Sequence, residues 1–239
     1  FVMNYVRTPK VAPLGRFKLP QKSQYGAVAA AIIIPFGAVE ATYMLGAPES
    51  SDSLGGIGNY SISGDISYEI LGNNTEYVND GDTLIVDLNT NDIVWSGDNR
   101  NVVGVVVTLT YSEDETSNGA GCLITGGAPE QDTITGSISH GVFNETESGE
   151  NQGQGSSSHE VLIEWYNSSL YLSGNASGMS ESQIKNELDS MGEGLGAYSL
   201  EIKVDAESGG GAGCNHTDNG EEVEYLVEVI LLDYEITPA

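Results

Sequence analysis

Four side chains in the stretch DLNTNDIVWSGD have the spacing of the oxygen ligands in a calcium-binding loop. They fall at positions 1, 3, 5 and 12 of that pattern: Asp87, Asn89, Asn91 and Asp98. Carboxylate and carboxamide oxygens are the ligands that Ca²⁺ prefers. Asp92 stands where the pattern has glycine, and the sequence predicts no flanking helices. The stretch therefore matches a structural calcium site only in part.

The acidic turns offer a second location for structural calcium. Asp80 and Asp82 lie in one turn, and Glu113 and Glu115 lie in another. Carboxylates this close in sequence can share a cation. Acidic loops without any metal are also common in proteins adapted to high salt. The sequence leaves these alternatives open and indicates no other cofactor.

Catalytic motifs are absent, with one short exception. The sequence has no Gly-x-Ser-x-Gly, His-Glu-x-x-His, phosphate-binding loop or dinucleotide fingerprint. Ser182 and Lys185 match the Ser-x-x-Lys pair of serine β-lactamases, but the companion motifs are missing. The histidines lie in segments rich in Gly, Ser and Asn, where we expect them to be solvated: His140, His159 and His216. We expect a protein that is not an enzyme.

Each of the two cysteines ends a similar sequence segment, which consists of a predicted strand, an acidic turn and Gly-Ala-Gly-Cys. In an oxidising exterior an even pair of cysteines predicts a disulfide, here Cys122–Cys214. Closing a loop of this length would stabilise the fold by about 4–5 kcal/mol in the chain-entropy model. A zinc site using Cys214 and His216 is the alternative, although its ligand number and spacing are poor.

Asn-x-Ser/Thr tripeptides, the acceptor sites for N-glycosylation, are frequent in this chain. Their asparagines are Asn59, Asn73, Asn144, Asn167, Asn175 and Asn215. A chain rich in Asn, Ser and Thr contains several such tripeptides by chance. All of these nevertheless fall in the part predicted to be exterior, and they indicate a surface glycoprotein.

Period-two alternation of apolar residues dominates the chain after residue 58 and predicts short antiparallel strands. Examples are VVGVVVTLTY at 102–111 and AYSLEIKVD at 197–205. Asp80-Gly81 predicts a hairpin turn between two strands. In the last strand the apolar face switches near Ile230, which a one-residue bulge would explain. The strands and their glycine-rich turns predict a mainly β fold, an antiparallel β-sandwich of immunoglobulin-like or jelly-roll-like type over residues 59–239.

One short helix is predicted between the strands. Ser180 and Gln183 form a capping box at its start, and Gly192 is its stop signal. Its apolar stripe consists of Ile184, Leu188 and Met191. This stripe predicts that the helix packs one face against the sandwich.

The apolar run at 25–47 contains no Lys, Arg or Asp and is long enough to cross the ~30 Å hydrocarbon core as a helix. A basic arm (1–24) precedes it and a Pro/Ser/Gly-rich linker (48–58) follows it. The positive-inside rule then places the N-terminus in the cytoplasm and the β domain outside. A cleaved signal peptide is the alternative, with a shorter apolar core of about 7–15 residues. Predicted helix contacts are Gly26, Ala30, Gly37, Glu40 and Ala41.

Charge is distributed unevenly along the 239 residues, whose net charge is −27. Five of the eight basic residues precede residue 25, whereas residues 48–239 contain 34 acids and 3 bases. So negative a domain repels nucleic acid. Together with clean apolar alternation, which disfavours disorder, this composition indicates adaptation to high salt in a halophilic or marine archaeon.

The run NVVGVVVTLTYSEDE, the later GAYSLEIKVDAE and the closing EVEYLVEVILLDYEI resemble β-sandwich ectodomains of archaeal single-pass surface proteins. The resemblance covers residues 100–236, implies exterior exposure and an interaction role, and carries no site residues across. From the predicted span and β domain, and from the basic arm with Pro9, Pro13 and Pro20, we expect a membrane-anchored structural or accessory subunit whose partners are other membrane or surface subunits.

Two other functions are open on sequence grounds. The first is a virion protein of a halophilic archaeal virus, associated with its membrane and with a capsid or spike. The second is a carbohydrate-binding ectodomain, with glycans as its partners. The second predicts a groove lined by Trp95, Trp165 or several of the twelve tyrosines.

Overall fold

Residues 55–112, 116–118, 130–151, 156–211 and 214–239 are the part of the chain that the computed structural model describes. Within these residues no helix has the length and apolar character needed to cross a membrane. The predicted arm (1–24), the predicted span (25–47) and most of the linker lie outside them. The same holds for the predicted helix contacts Gly26, Ala30, Gly37, Glu40 and Ala41, which stay predictions.

Strands make up most of the described residues. They are β1 (Gly58–Asn79), β2 (Thr83–Asn89), β3 (Val102–Ser112), β4 (Thr116–Asn118), β5 (Thr133–His140), β6 (Phe143–Glu150), β7 (Ser156–Glu164), β8 (Asn175–Met179), β9 (Ala197–Asp205), β10 (Gly210–Gly211), β11 (Cys214–Thr217) and β12 (Gly220–Pro238). The helical elements are a one-turn 3-10 helix (Thr90–Asp92), α1 (Ser168–Ser173) and α2 (Glu181–Leu188).

The longer strands form two antiparallel sheets. The five-stranded sheet has the order β7-β3-β12-β1-β8, and the four-stranded sheet has the order β2-β9-β5-β6. A small third sheet, β10-β11-β4, joins the segment after β3 to the segment before β12. The prediction of a mainly β fold with two antiparallel sheets, consistent with a sandwich, is confirmed.

The main core lies between the inner faces of the two large sheets. Val105, Val107 and Leu109 of β3, and Leu200 and Ile202 of β9, are completely buried there. Burying an aliphatic side chain of this size stabilises the fold by about 1.5–3 kcal/mol. The inward faces predicted from alternation in these two strands are therefore correct.

Strand β12 is buried on both faces at its middle. Val229 belongs to the main core, whereas Ile230 and Leu232 belong to a second apolar cluster on the outer side of the five-stranded sheet. The alternation therefore runs unbroken, and a bulge in β12 is the wrong explanation for its pattern. A register shift does lie between Ile230 and Leu231, but the extra residue is Val103 of β3.

The turn predicted at Asp80-Gly81 exists, but it does not make a hairpin. The Asp82 N–H donates to the Asn79 carbonyl oxygen at 2.9 Å, and Gly81 has a φ of 76°. Strands β1 and β2 belong to different sheets, so this turn carries the chain across the sandwich. The Asp80 carboxylate accepts a hydrogen bond from the Ala206 N–H at 3.0 Å, which holds the turn beside the end of β9.

Helices α1 and α2 cover one end of the outer face of the five-stranded sheet. The predicted capping box is present, with the Ser180 hydroxyl accepting from the Gln183 N–H at 3.2 Å. Ile184 and Leu188 are completely buried in the second apolar cluster. Helix α2 ends at Leu188, however, and Met191 is 68% exposed with a φ of 52°, so it is not part of the stripe.

Replacing Leu188 by Ala should lower the free energy of unfolding by about 2–5 kcal/mol, because the substitution leaves a cavity under α2. Leu172→Ala is the matched control, since Leu172 of α1 is 77% exposed; it should change stability by less than about 0.5 kcal/mol. Chemical denaturation of the full chain measures both. Equal effects of the two substitutions would contradict the packed helical layer.

Candidate functional site

A shallow groove lies on the outer face of the five-stranded sheet, beside the end covered by the helices. Its volume is about 320 Å³. The apolar lining is Ile66, Tyr68, Val106, Leu162 and Ile230. The polar lining is Thr108, Glu160, Glu164 and Glu228.

Strand pairing builds the groove as rows across the sheet. In one row Val106 of β3 lies opposite Leu162 of β7 on one side and Glu228 of β12 on the other. Glu228 in turn lies opposite Ile70 of β1. Because residues directly opposite in a sheet point to the same face, this row places three apolar side chains and one carboxylate on the outer surface.

The neighbouring row has a gap in its side chains at Gly104. This glycine lies opposite Ile230 of β12 and Glu164 of β7. A Cβ atom here would come within 2.6 Å of the Ile163 carbonyl oxygen and 3.1 Å of Ile230 Cδ1. The missing side chain lets Ile230 lie against β3. Ile230, Val106 and Leu162 together form the apolar floor of the groove.

Tyrosines stand at the end of the groove near the helices. Tyr68 is 54% exposed, and the rings of Tyr166 and Tyr171 lie 6.4 Å apart. The Tyr171 hydroxyl donates to the Gly64 carbonyl oxygen at 2.8 Å, which holds α1 against β1. Burial, and then the charge of nearby Glu164, raise the pKa of Tyr166 to about 12. Of these rings only that of Tyr68 lines the groove, and neither tryptophan does.

The charged side chains of the groove are all carboxylates. The ion pairs among the described residues are Lys185–Glu181 on α2 and Lys203–Asp205 at the end of β9, and none of these residues lines the groove. The third described cation, Arg100, lies over the Trp95 ring at 4.3 Å. No basic side chain in the described part of the chain neutralises the groove.

A second polar group of interest is a cluster of three carboxylates at the end of the sandwich near β11. Oxygens of Asp132, Asp218 and Glu221 lie within 4.8 Å of one another, and Asp132 and Glu221 are completely buried. The buried Asn151 amide joins them, donating to Asp132 at 3.2 Å and to Glu221 at 3.3 Å. Asp132 also accepts from the Glu207 N–H at 2.7 Å. These bonds tie together segments that are far apart in sequence, and we assign the cluster a structural role.

The residues of the predicted calcium loop take different structural positions. Asp87 lies within β2, opposite Ser199 of β9. The Asn89 side chain accepts from the Asn91 N–H at 2.9 Å and thereby caps the 3-10 helix. Asp98 lies in the loop that follows, and no side-chain hydrogen bond among the described residues joins Asp87 or Asp98 to these asparagines. Of the acidic turns, Glu113 and Glu115 lie outside the described residues.

The predicted solvation of the histidines is wrong for two of them. His140 ends β5, is 7% exposed and stacks on Tyr198 with ring centroids 4.1 Å apart. Its ring nitrogens face the carbonyl oxygens of Ala197, at 2.9 Å, and Glu193. His159 is half-buried in β7, 3.2 Å from the Tyr111 hydroxyl, and burial lowers its pKa. Both lie in strands rather than loops, and the His216 side chain lies outside the described residues.

The structure describes one of the two cysteines of the predicted disulfide. Cys214 is buried and disulfide-bonded. Cys122, the only other cysteine of the sequence, lies outside the described residues, so the pairing Cys122–Cys214 stays a prediction. The adjoining strands support it, since β4, which shortly precedes Cys122, pairs with β11, which begins at Cys214.

The predicted glycosylation sites differ in how their side chains are used. The exposed asparagines are Asn59, Asn73, Asn144, Asn167 and Asn175. Asn167 caps α1 and donates to Glu187 at 2.8 Å, and Asn175 donates to the Ser173 carbonyl oxygen at 3.1 Å. The Asn215 side chain lies outside the described residues. Glycosylation at all of these positions stays a prediction.

No family model and no curated protein matches this chain. Among solved structures a similar one is the carbohydrate-binding module TmCBM61, solved in complex with β-1,4-galactotriose. The two chains are 10% identical, the similarity covers 74% of this chain and 88% of the other, and the TM-score is 0.26. A likeness at this level does not extend to function or to site residues.

Replacing Asn151 by Ala should lower the free energy of unfolding by about 3 kcal/mol or more. The substitution removes the amide that donates to the buried carboxylates of Asp132 and Glu221, and with it the amide oxygen that accepts from the Asp132 N–H at 2.9 Å. Asn186→Ala, at an exposed position of α2 outside any Asn-x-Ser/Thr tripeptide, is the control and should change the free energy of unfolding by less than about 0.5 kcal/mol. If both variants unfold at the same denaturant concentration, the carboxylate network does not stabilise this end of the sandwich.

Tyr166 should stay protonated well above the ordinary tyrosine pKa of 10.0 and ionise near pH 12. Because the folded pKa is the higher one, its stabilising contribution is complete below pH 10 and is lost as the pH rises toward 12. The measurement is the alkaline absorbance titration of the wild type minus that of Tyr166→Phe. A difference curve centred near pH 10 would contradict the burial of the Tyr166 hydroxyl, the main cause of the raised pKa, and its placement beside Glu164.

Proposed function

We propose that this chain is a non-enzymatic β-sandwich subunit, held at a membrane by its N-terminal part, that binds a protein partner in the outer groove. The supporting observation is the exposed apolar surface across β1, β12, β3 and β7. Tyr68, Ile70 and Leu162 are 54%, 53% and 48% exposed on this one face. Exposing side chains of this size in a contiguous patch is unfavourable in water, and such patches mark interaction sites.

The arrangement of the groove also fits a protein partner. Protein interfaces have an apolar centre and a polar rim. Here Val106 of β3 lies between Leu162 and Glu228, and Glu160 and Glu164 flank Leu162 along the edge strand β7. The helices already show how this sheet accepts a covering layer, because α2 buries Ile184 and Leu188 against the same face. A partner would continue that layer over the uncovered half.

The membrane anchor and the source are supported by the sequence. The apolar run at 25–47 is the segment proposed to cross the membrane, with the β domain outside the cell. The net charge of −27 supports a halophilic or marine source, and the resemblance to archaeal surface ectodomains supports a subunit of a surface assembly. The absence of catalytic motifs supports a non-enzymatic role.

Carbohydrate binding is the second candidate for the same groove, favoured by Tyr68 in its lining. The exposed ring of Tyr68 could stack on a sugar ring, and carboxylates such as Glu164 could accept hydrogen bonds from hydroxyl groups. The floor argues for the protein partner, however, since Val106, Leu162 and Ile230 present no polar atoms to a sugar. A soluble neutral oligosaccharide would compete with a bound sugar ligand for the groove. It would not displace a protein partner.

A photo-reactive amino acid in place of Leu162, in the full chain in its native membrane, should cross-link to one discrete protein. The matched control replaces Ile85, which is 60% exposed on the outer face of the four-stranded sheet. We expect a cross-linked product of defined mass at position 162 and none at position 85, identified by mass spectrometry. Identical products at both positions, or none at position 162, would contradict the proposal. Loss of the product with soluble neutral oligosaccharides would favour the carbohydrate alternative.

A further inference from the structure

We propose that the groove binds a basic segment of its protein partner, one that presents an apolar side chain flanked by Lys or Arg. This inference rests on the proposed function, because it names the chemistry of the partner for the same groove. It follows from the positions of the three carboxylates, from the lack of neutralising cations in the described residues, and from the apolar floor.

The carboxylates form a triangle around the floor. Glu160 and Glu164 follow the same outer face of β7 on either side of Leu162, about 13 Å apart at the usual strand rise. Glu228 stands on β12, two strands away and therefore about 10 Å from β7. Val106 of β3 lies inside this triangle. A complementary partner places an apolar group over Val106 and positive groups toward the corners.

No cation in the described part of the chain pairs with the carboxylates of the groove. Lys185 and Lys203 pair with Glu181 and Asp205, and Arg100 stacks on Trp95. A neutral or acidic partner that covered the groove would remove water from Glu160, Glu164 and Glu228. It would not replace the lost hydrogen bonds with charge-assisted ones, so covering the groove would be unfavourable. Lys and Arg avoid this cost because they donate charge-assisted hydrogen bonds to carboxylates.

The apolar floor decides between a basic peptide and simple cations. Lysine and arginine side chains have long aliphatic stems that lie along apolar surface while their charged ends reach polar groups. Tyr68, 54% exposed at the edge of the groove, adds an aromatic face on which a guanidinium can stack. A metal ion or a polyamine would satisfy the carboxylates but would leave Leu162 and Val106 uncovered.

The test uses the full chain and a fluorescent synthetic peptide in which lysine and leucine alternate, with a glutamate–leucine peptide for comparison. The groove variant is Glu160→Gln with Glu164→Gln. The matched control is Asp87→Asn with Glu201→Gln, two exposed carboxylates on the outer face of the four-stranded sheet. Both double variants remove two negative charges, so general attraction by the acidic surface changes equally.

We expect the lysine–leucine peptide to bind the wild type, with the groove variant raising Kd at least about tenfold and the control less than about twofold. The glutamate–leucine peptide should not bind. Equal weakening by both variants would overturn the proposal, because binding would then reflect diffuse surface charge. So would equal binding of both peptides to the wild type, or no binding of the lysine–leucine peptide.

The two proposals fail separately. If position 162 cross-links to a protein whose contact segment has no Lys or Arg, the basic-segment inference is wrong and the protein-binding function stands. If position 162 cross-links to nothing in the native membrane, the proposed function is wrong, whatever the synthetic peptide does. Unchanged thermal unfolding of both double variants shows that any loss of binding is not a loss of fold.

Discussion

The burial of β12 on both of its faces is the constraint on which the rest of the structure depends. One face must meet the four-stranded sheet, and the other must meet a second layer, which α1 and α2 supply near Ile230 and Leu232. The helical layer is shorter than the sheet it covers. The outer surface from Tyr68 to Leu162 is therefore left uncovered, and the groove exists because the second layer stops there.

Much of the fold could be predicted from local sequence. Period-two alternation located the core-facing residues of β3 and β9, and the capping box located the start of α2 at Ser180, because both signals depend on neighbours within the same element. Pairing between strands depends on distant segments. The Asp80-Gly81 turn looked like a hairpin for this reason, and the two-sided burial of β12 looked like a bulge.

The candidate site was harder to predict for the same physical reason. Alternation assigns residues to one face or the other, but it does not say how far a covering layer extends over the outer face. Ile66, Tyr68 and Ile70 alternate on β1, and an apolar outer face there was a readable sign of partial cover. The cluster around Asn151 gives no such sign, because Asp132 and Glu221 come from separate segments that only the tertiary fold unites.

If the chain works in concentrated salt, the acidic rim of the groove attracts a cationic partner only together with the apolar floor. At about 1 M ionic strength the Debye length is only about 3 Å, so the large negative charge no longer attracts a cationic partner from a distance. Attraction survives where water and salt are excluded, and the floor around Val106 and Leu162 is what excludes them once it is covered. Carboxylates elsewhere on the surface keep the chain hydrated. Glu160 and Glu164 instead border an apolar surface from which a bound partner excludes water. The same residue type thus has two roles, and the neighbouring apolar side chains decide which role each carboxylate takes.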